Sequence, residues 1–157
     1  MPTVEQSAII NAPLHVVMES LNDVESIPTW ATVTGTISNV QGKGPGMTYQ
    51  WQYSIDTFSF GGKSEVLEQT DTTLITKTNG DIESIWTINL TPINKDITAI
   101  RVVVEYMPPN IFLDVLADLV LEHLNSPAVA TENMNRFKAL VEARTKTAAK
   151  EQIIANS

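Results

Sequence analysis

The chain has 157 residues, 43% of them hydrophobic, with a formal charge of −8 and no cysteine. A chain of this length buries roughly 70% of its unfolded surface, so residues 1–157 are expected to form a single domain. The acidic balance disfavours nucleic acid and anionic membranes, whose phosphates reward basic patches, and the absence of cysteine excludes disulfides, thiolate nucleophiles and cysteine metal sites.

The opening residues Met1-Pro2-Thr3-Val4-Glu5-Gln6 lack a basic region followed by an apolar one, so no signal peptide is expected. No apolar stretch nears the ~20 residues of a spanning helix, so integral membrane association is not expected. The reading is of a cytoplasmic protein. Val4 to Asn11 alternates and predicts a first strand. Pro13 suits the first turn of a helix. Leu14, Val17, Met18 and Leu21 recur at helical spacing and predict one buried face, with His15, Glu19 and Asn22 on other faces. Ile27-Pro28-Thr29-Trp30 reads as a loop.

From Thr32 to Met107 the pattern is strand-like, with turns at short intervals. The turn signals are Gly42-Lys43-Gly44-Pro45-Gly46, Phe58-Ser59-Phe60-Gly61-Gly62, Gln69-Thr70-Asp71-Thr72, Asn79-Gly80-Asp81 and Pro92-Ile93-Asn94-Lys95-Asp96. Strands joined by such short turns are antiparallel neighbours, since parallel pairs need long crossovers. Period-two alternation turns Trp86, Ile88 and Leu90 inward, and likewise Ile100, Val102, Val104 and Tyr106. Tyr49, Trp51 and Tyr53 share a face that also reads as inward. Gly62, Ser64, Thr76 and Ser84 are small residues at inward positions, which favours a void.

A long C-terminal helix is predicted from about Asn110, with Asp114, Asp118 and Glu122 as its solvated stripe. The opposite face carries Leu113, Leu116, Val120 and His123. Ser126-Pro127 predicts a kink or restart, with Ser126 as cap. Ala130, Met134, Phe137 and Val141 then continue a buried face, and the polar tail, 144–157, is expected to fray.

A curved sheet gripping a long helix leaves a hollow, and apolar hollows with a few polar groups are typical small-molecule sites. The expected lining is Trp51, Tyr53, Trp86, Ile88, Val102, Val104 and Tyr106 from the sheet, with Leu116, Val120 and His123 from the helix. Its expected volume is a few hundred Å³, the lower part of the range for such sites. His123 is either a core histidine satisfied by a carbonyl or water, or a functional group. His15 pairs more simply with Glu19 at the surface. The glycine-rich run lacks P-loop spacing and reads as a hairpin turn. Two histidines on separate elements make no metal site, and no cofactor motif is present. Arg101, Arg136 and Arg144 read as outward or terminal, which leaves no buried cation for an enolate.

Ile9-Ile10-Asn11-Ala12-Pro13, then Ile27-Pro28-Thr29-Trp30, Gly42-Lys43-Gly44-Pro45-Gly46-Met47 and the closing Glu132 to Glu142, taken in order, resemble the START/Bet v 1-like helix-grip superfamily, which includes the polyketide cyclase/dehydrase-like proteins. The resemblance covers Val4 to about Arg144. It implies an α+β helix-grip fold: a curved antiparallel sheet of about seven strands around the C-terminal helix, with a short helical segment after the first strand. Members bind or transfer lipids, hormones and polyketides, and a minority catalyse reactions. The first functional expectation is therefore a non-catalytic binder of a small hydrophobic molecule, lipid-like or aromatic. The second is a cyclase/dehydrase-like enzyme, with His123 as acid/base and Tyr53 or Tyr106 as hydrogen-bond donor. The third is a protein-interaction module whose cavity is incidental. Ligand identity and oligomeric state stay open.

Overall fold

The computed structural model describes residues 3–31, 34–55, 58–107, 122 and 126–155. Strand β1 (Thr3–Ile10) follows its alternation: Val4, Gln6 and Ala8 turn inward, Thr3, Glu5, Ser7 and Ile9 are exposed, and Ile10 is fully buried. Helix α1 (Leu14–Asn22) follows at once. Pro13 caps it from an extended conformation, and its carbonyl accepts the Val17 N–H at 3.2 Å. Val17 and Met18 are buried, Leu14 and Leu21 pack against the core, and His15 and Glu19 are exposed.

The Ile27–Trp30 segment departs from the expected loop. A 3-10 turn (Val24–Ser26) leads into one turn of helix, α2 (Ile27–Trp30), closed by Ala31 N–H donating to the Ile27 carbonyl at 2.8 Å. Pro28 falls in the first turn, where a missing N–H goes unnoticed.

The remaining strands are β2 (Thr34–Gln41), β3 (Thr48–Ile55), β4 (Phe58–Gln69), β5 (Thr73–Gly80), β6 (Glu83–Asn94) and β7 (Ile97–Met107). The sheet runs β1-β7-β6-β5-β4-β3-β2, antiparallel throughout. Thus β1 pairs with the last strand, and β1 and β2 form the two edges.

Two turn assignments are corrected. Phe58-Ser59-Phe60-Gly61-Gly62 lies inside β4. Phe60 points inward and is buried, and the glycines answer a close approach of strands. A Cβ on Gly61 would meet the Gln52 side chain, and one on Gly62 would meet the Asn79 carbonyl and the Trp51 ring. Likewise β6 continues through Pro92 to Asn94, with a register shift that accommodates the proline, and the chain reverses at Lys95-Asp96.

The C-terminal helix α3 (Pro127–Ala155) begins where Ser126-Pro127 predicts a start. Ser126 Oγ accepts the Val129 N–H at 3.4 Å, and Met134, Phe137 and Val141 are buried. The helix then runs past Arg144 to Ala155, where the sequence suggests fraying. Arg144 itself is tied down: Nη2 bonds Asp23 at 2.6 Å and Nη1 bonds Ser20 Oγ at 3.3 Å. Further ties fix α3 against β1, with Gln6 Nε2 donating to Thr131 Oγ1 at 3.3 Å and the Asn11 N–H to Glu142 at 2.9 Å. Thr98 Oγ1, wholly buried, donates to the Ala12 carbonyl at 2.9 Å and closes the corner between β1 and α1. Seven curved antiparallel strands, a long C-terminal helix and a short helix after the first strand constitute the α+β helix-grip fold.

The helix predicted from Asn110 to Asn125 falls mostly outside the described residues. Leu113, Asp114, Leu116, Asp118, Val120 and His123 lie there, while Glu122 is described and exposed.

Candidate ligand-binding site

The sheet's register sets out the inner face in rows. Tyr49 stands opposite Ser64, Ser64 opposite Thr78, Thr78 opposite Ser84, and Ser84 opposite Tyr106. A row of hydroxyl side chains therefore crosses five strands, from β3 to β7. Several are joined: Ser64 Oγ and Thr78 Oγ1 lie 2.9 Å apart, and Ser84 Oγ accepts the Trp86 indole N–H at 3.1 Å. Burial pushes the Tyr49 hydroxyl above the ordinary value of 10.0, partly offset by its bond to Ser64. Burial raises Tyr53 and Tyr106 as well, and Tyr49 adds to the rise at Tyr53. All three phenols thus stay protonated at neutral pH and serve as hydrogen-bond donors.

Below this row the inner faces of β6 and β7 are apolar. Trp86 lies opposite Val104, Ile88 opposite Val102, and Leu90 opposite Ile100. Between these strands and α3 lies a hollow of about 80 Å³. Its sheet wall holds Trp86, Ile88, Val102, Val104 and Tyr106, all predicted as lining. The hollow is smaller than the expected few hundred Å³, because Met134 and Phe137 of α3 and Trp30 of α2 fill much of the gap. Trp30 packs edge-on against Phe137, ring centroids 5.4 Å apart at 71°.

Trp51 and Tyr53 share the concave face but are not among the described walls of the hollow. They stack on each other at 5.4 Å and 21°, with Phe60 edge-on to Trp51, in an aromatic cluster that also contains Tyr106 and Val104. Leu116, Val120 and His123 lie outside the described residues, so the hollow's described walls do not include them. The small inward positions are as expected: Ser64, Thr76 and Ser84 are buried, and Gly62 lies under the Trp51 ring.

Sequence reasoning misses Trp30, Gln6, Asn133, Met134 and Phe137 as walls. The last two are visible as a buried helix face but not as members of a site. Trp30 is hidden by the loop reading of its segment. It is also chemically distinctive, because its buried indole N–H has no acceptor, and neither has that of Trp51. Buried unpaired donors are rare in folded proteins.

A second depression, of about 620 Å³, lies on the outside between α1 and the β4–β5 and β6–β7 turns. Exposed His15, Glu19, Asp71 and Lys95 line it, a mixed charged surface without converging groups. Among the described residues no group of three or more His, Asp or Glu side chains is placed to hold a metal ion, and no helix is long and apolar enough to cross a membrane.

A hollow between a curved sheet and a C-terminal helix defines the class of helix-grip proteins. The family described as polyketide cyclase / dehydrase and lipid transport matches residues 1–142, and the chain belongs to it. No curated protein matches the sequence. Among solved structures, the fold is similar to that of TTHA0849 from Thermus thermophilus, with a TM-score of 0.72 and 19% identity over 92% of this chain and 99% of that one. It is similar also to the Zhui aromatase/cyclase from Streptomyces sp. R1128, with a TM-score of 0.69 and 12% identity over 90% and 94% of the two chains. A START superfamily protein from Mycobacterium smegmatis has a TM-score of 0.63 and 13% identity over 93% and 98%. At these identities the likeness carries the fold alone.

Proposed function

We propose that this protein binds a small hydrophobic molecule in the hollow between sheet and helix. The observation that carries the reading is the wall itself: Trp86, Ile88, Val102 and Val104 of two neighbouring strands face Trp30, Met134 and Phe137 across unfilled space. An unfilled apolar gap forfeits dispersion contacts, and a ligand restores them. The family description, which joins cyclases with lipid transport, supports the same reading. Met134, unbranched and adaptable, is the wall that lets the hollow widen around a guest.

Native mass spectrometry of freshly purified protein, followed by a thermal-shift panel of sterols, fatty alcohols and flat aromatics, tests the proposal. A ligand at 100 times its dissociation constant adds about 2.7 kcal/mol of stability. Trp86→Ala is expected to weaken binding at least about tenfold, since it removes one side of the wall. A panel in which nothing co-purifies and nothing shifts the melting temperature overturns the reading.

The cyclase/dehydratase-like alternative uses the same hollow. Tyr106 favours it, because a buried phenol held protonated on the cavity wall is a fit donor for a substrate carbonyl. Tyr106→Phe separates the two readings: a binder keeps most of its affinity, whereas an enzyme loses turnover by about 10²-fold or more.

A further inference from the structure

We infer that the hollow selects uncharged molecules bearing a carbonyl or hydroxyl oxygen and rejects carboxylates and phosphates. The inference rests on the proposed binding function and deepens it to a ligand class.

The first observation is where the positive charge lies. The chain has ten lysines and arginines. All of them are described, and none lines the hollow. Lys43, Lys63, Lys77, Lys95, Lys146 and Lys150 are exposed. Arg101 bonds Glu5 at 2.7 Å on the outer surface, and Arg136 bonds Glu132 at 2.8 Å. Arg144 is held by Asp23, and Lys138 lies 3.9 Å from Glu142. An anion entering the hollow would leave water with no lysine or arginine to meet it, the arrangement that makes a buried charge most costly. The net charge of −8 opposes its approach as well.

The second observation is which polar groups do face inward. Among the described residues they are neutral. Tyr106, Gln6 and Asn133 stand on the wall itself, and Ser84 and Thr78 follow along the row of Tyr106. The Tyr106 hydroxyl donates toward an acceptor oxygen. A ketone or hydroxyl on an otherwise apolar guest supplies that acceptor without bringing a charge.

Single-ring probes are the nearest in size to a hollow of about 80 Å³, which must widen to take them. Acetophenone, benzoate and ethylbenzene have nearly the same shape and differ in charge and oxygen. Ligand-observed NMR titration of the whole chain at pH 7, where benzoate is ionised, measures all three. Acetophenone is expected to bind at least about a hundredfold more tightly than benzoate, the consequence of burying an unpaired carboxylate. It is also expected to bind no more weakly than ethylbenzene, although its carbonyl must leave water. Benzoate binding within about threefold of acetophenone, or ethylbenzene winning by about tenfold or more, overturns this inference while leaving the binding function intact. If none of the three binds and the wider panel also fails, both readings fall together.

Discussion

Gly62 shows at the residue scale how tightly the concave face is built. It sits opposite Trp51 in the β3–β4 register, and a Cβ there would come 2.6 Å from the indole ring as well as into the Asn79 carbonyl. Gly62→Ala must therefore displace the ring or push neighbouring strands apart. Its expected penalty is about 1–3 kcal/mol, the usual range for overpacking, read as a lower denaturant midpoint with unchanged slope. Thr98 makes the opposite case, a polar group that cannot be spared. Thr98→Val keeps the shape but leaves the buried Ala12 carbonyl without its donor. The expected loss is about 1–3 kcal/mol, whereas Thr98→Ser, which keeps the hydroxyl, should lose less. A larger loss from Thr98→Ser than from Thr98→Val would mean that the methyl group, not the hydrogen bond, matters at this corner.

Among elements, α3 divides into a gripping segment and an exposed extension. Met134, Phe137 and Val141 are buried against the sheet, and Arg144 reaches the end of α1 through Asp23. From Lys146 to Glu151 every side chain is exposed. Deleting residues 146–157 should therefore change the melting temperature by only about 1–2 °C, as surface changes do. The Arg144–Asp23 pair is itself half-exposed, with side chains 36% and 43% accessible. Such a pair contributes at most about 1 kcal/mol, so it orients the helix more than it stabilises the fold. The α2 turn matters for a different reason. Its single helical turn carries Trp30 to Phe137, which converts a segment legible only as punctuation into a wall of the hollow.

For the molecule as a whole, the concave face is the chain's tyrosine-bearing face: all three tyrosines lie on it, each held above its ordinary pKa chiefly by burial. The folded pKa exceeds the unfolded one, so the folded state retains protons that the unfolded chain releases. Stability from this source is full below the unfolded value of about 10 and falls as pH rises through the folded values. The expected outcome is a protein stable to about pH 10, with little phenolate absorbance until it unfolds and all three tyrosines then ionise together. Phenolate appearing near pH 10 in the folded protein would show that the inner face is wetter than its burial implies.

How much of this was legible in the sequence follows from the range of each interaction. Alternation in β1, β6 and β7, helical spacing in α1, and Ser126-Pro127 as a helix start are local patterns, set by pleat and helix geometry within a few residues. The inward direction of Trp86, Ile88, Val102, Val104 and Tyr106 came from the same source. Local pattern failed where a distant partner overruled it. Phe58 to Gly62 carries turn residues, yet it extends because Gln52, Trp51 and Asn79 on neighbouring strands need glycine's lack of a side chain. Which inward residues share a hollow was likewise not local. The register of β6 on β7 and the depth at which Met134 and Phe137 enter the groove set its walls and its volume. The sequence by itself determined the inventory: an acidic chain whose tyrosines and several small hydroxyl residues fall at inward positions, with its arginines outward. Only the tertiary structure decided that the hydroxyls fall in one row, that Trp30 packs on Phe137 to become a wall, and that the space left over is small. Those depend on pairing across the sheet and packing against the helix, contacts between residues far apart in the chain.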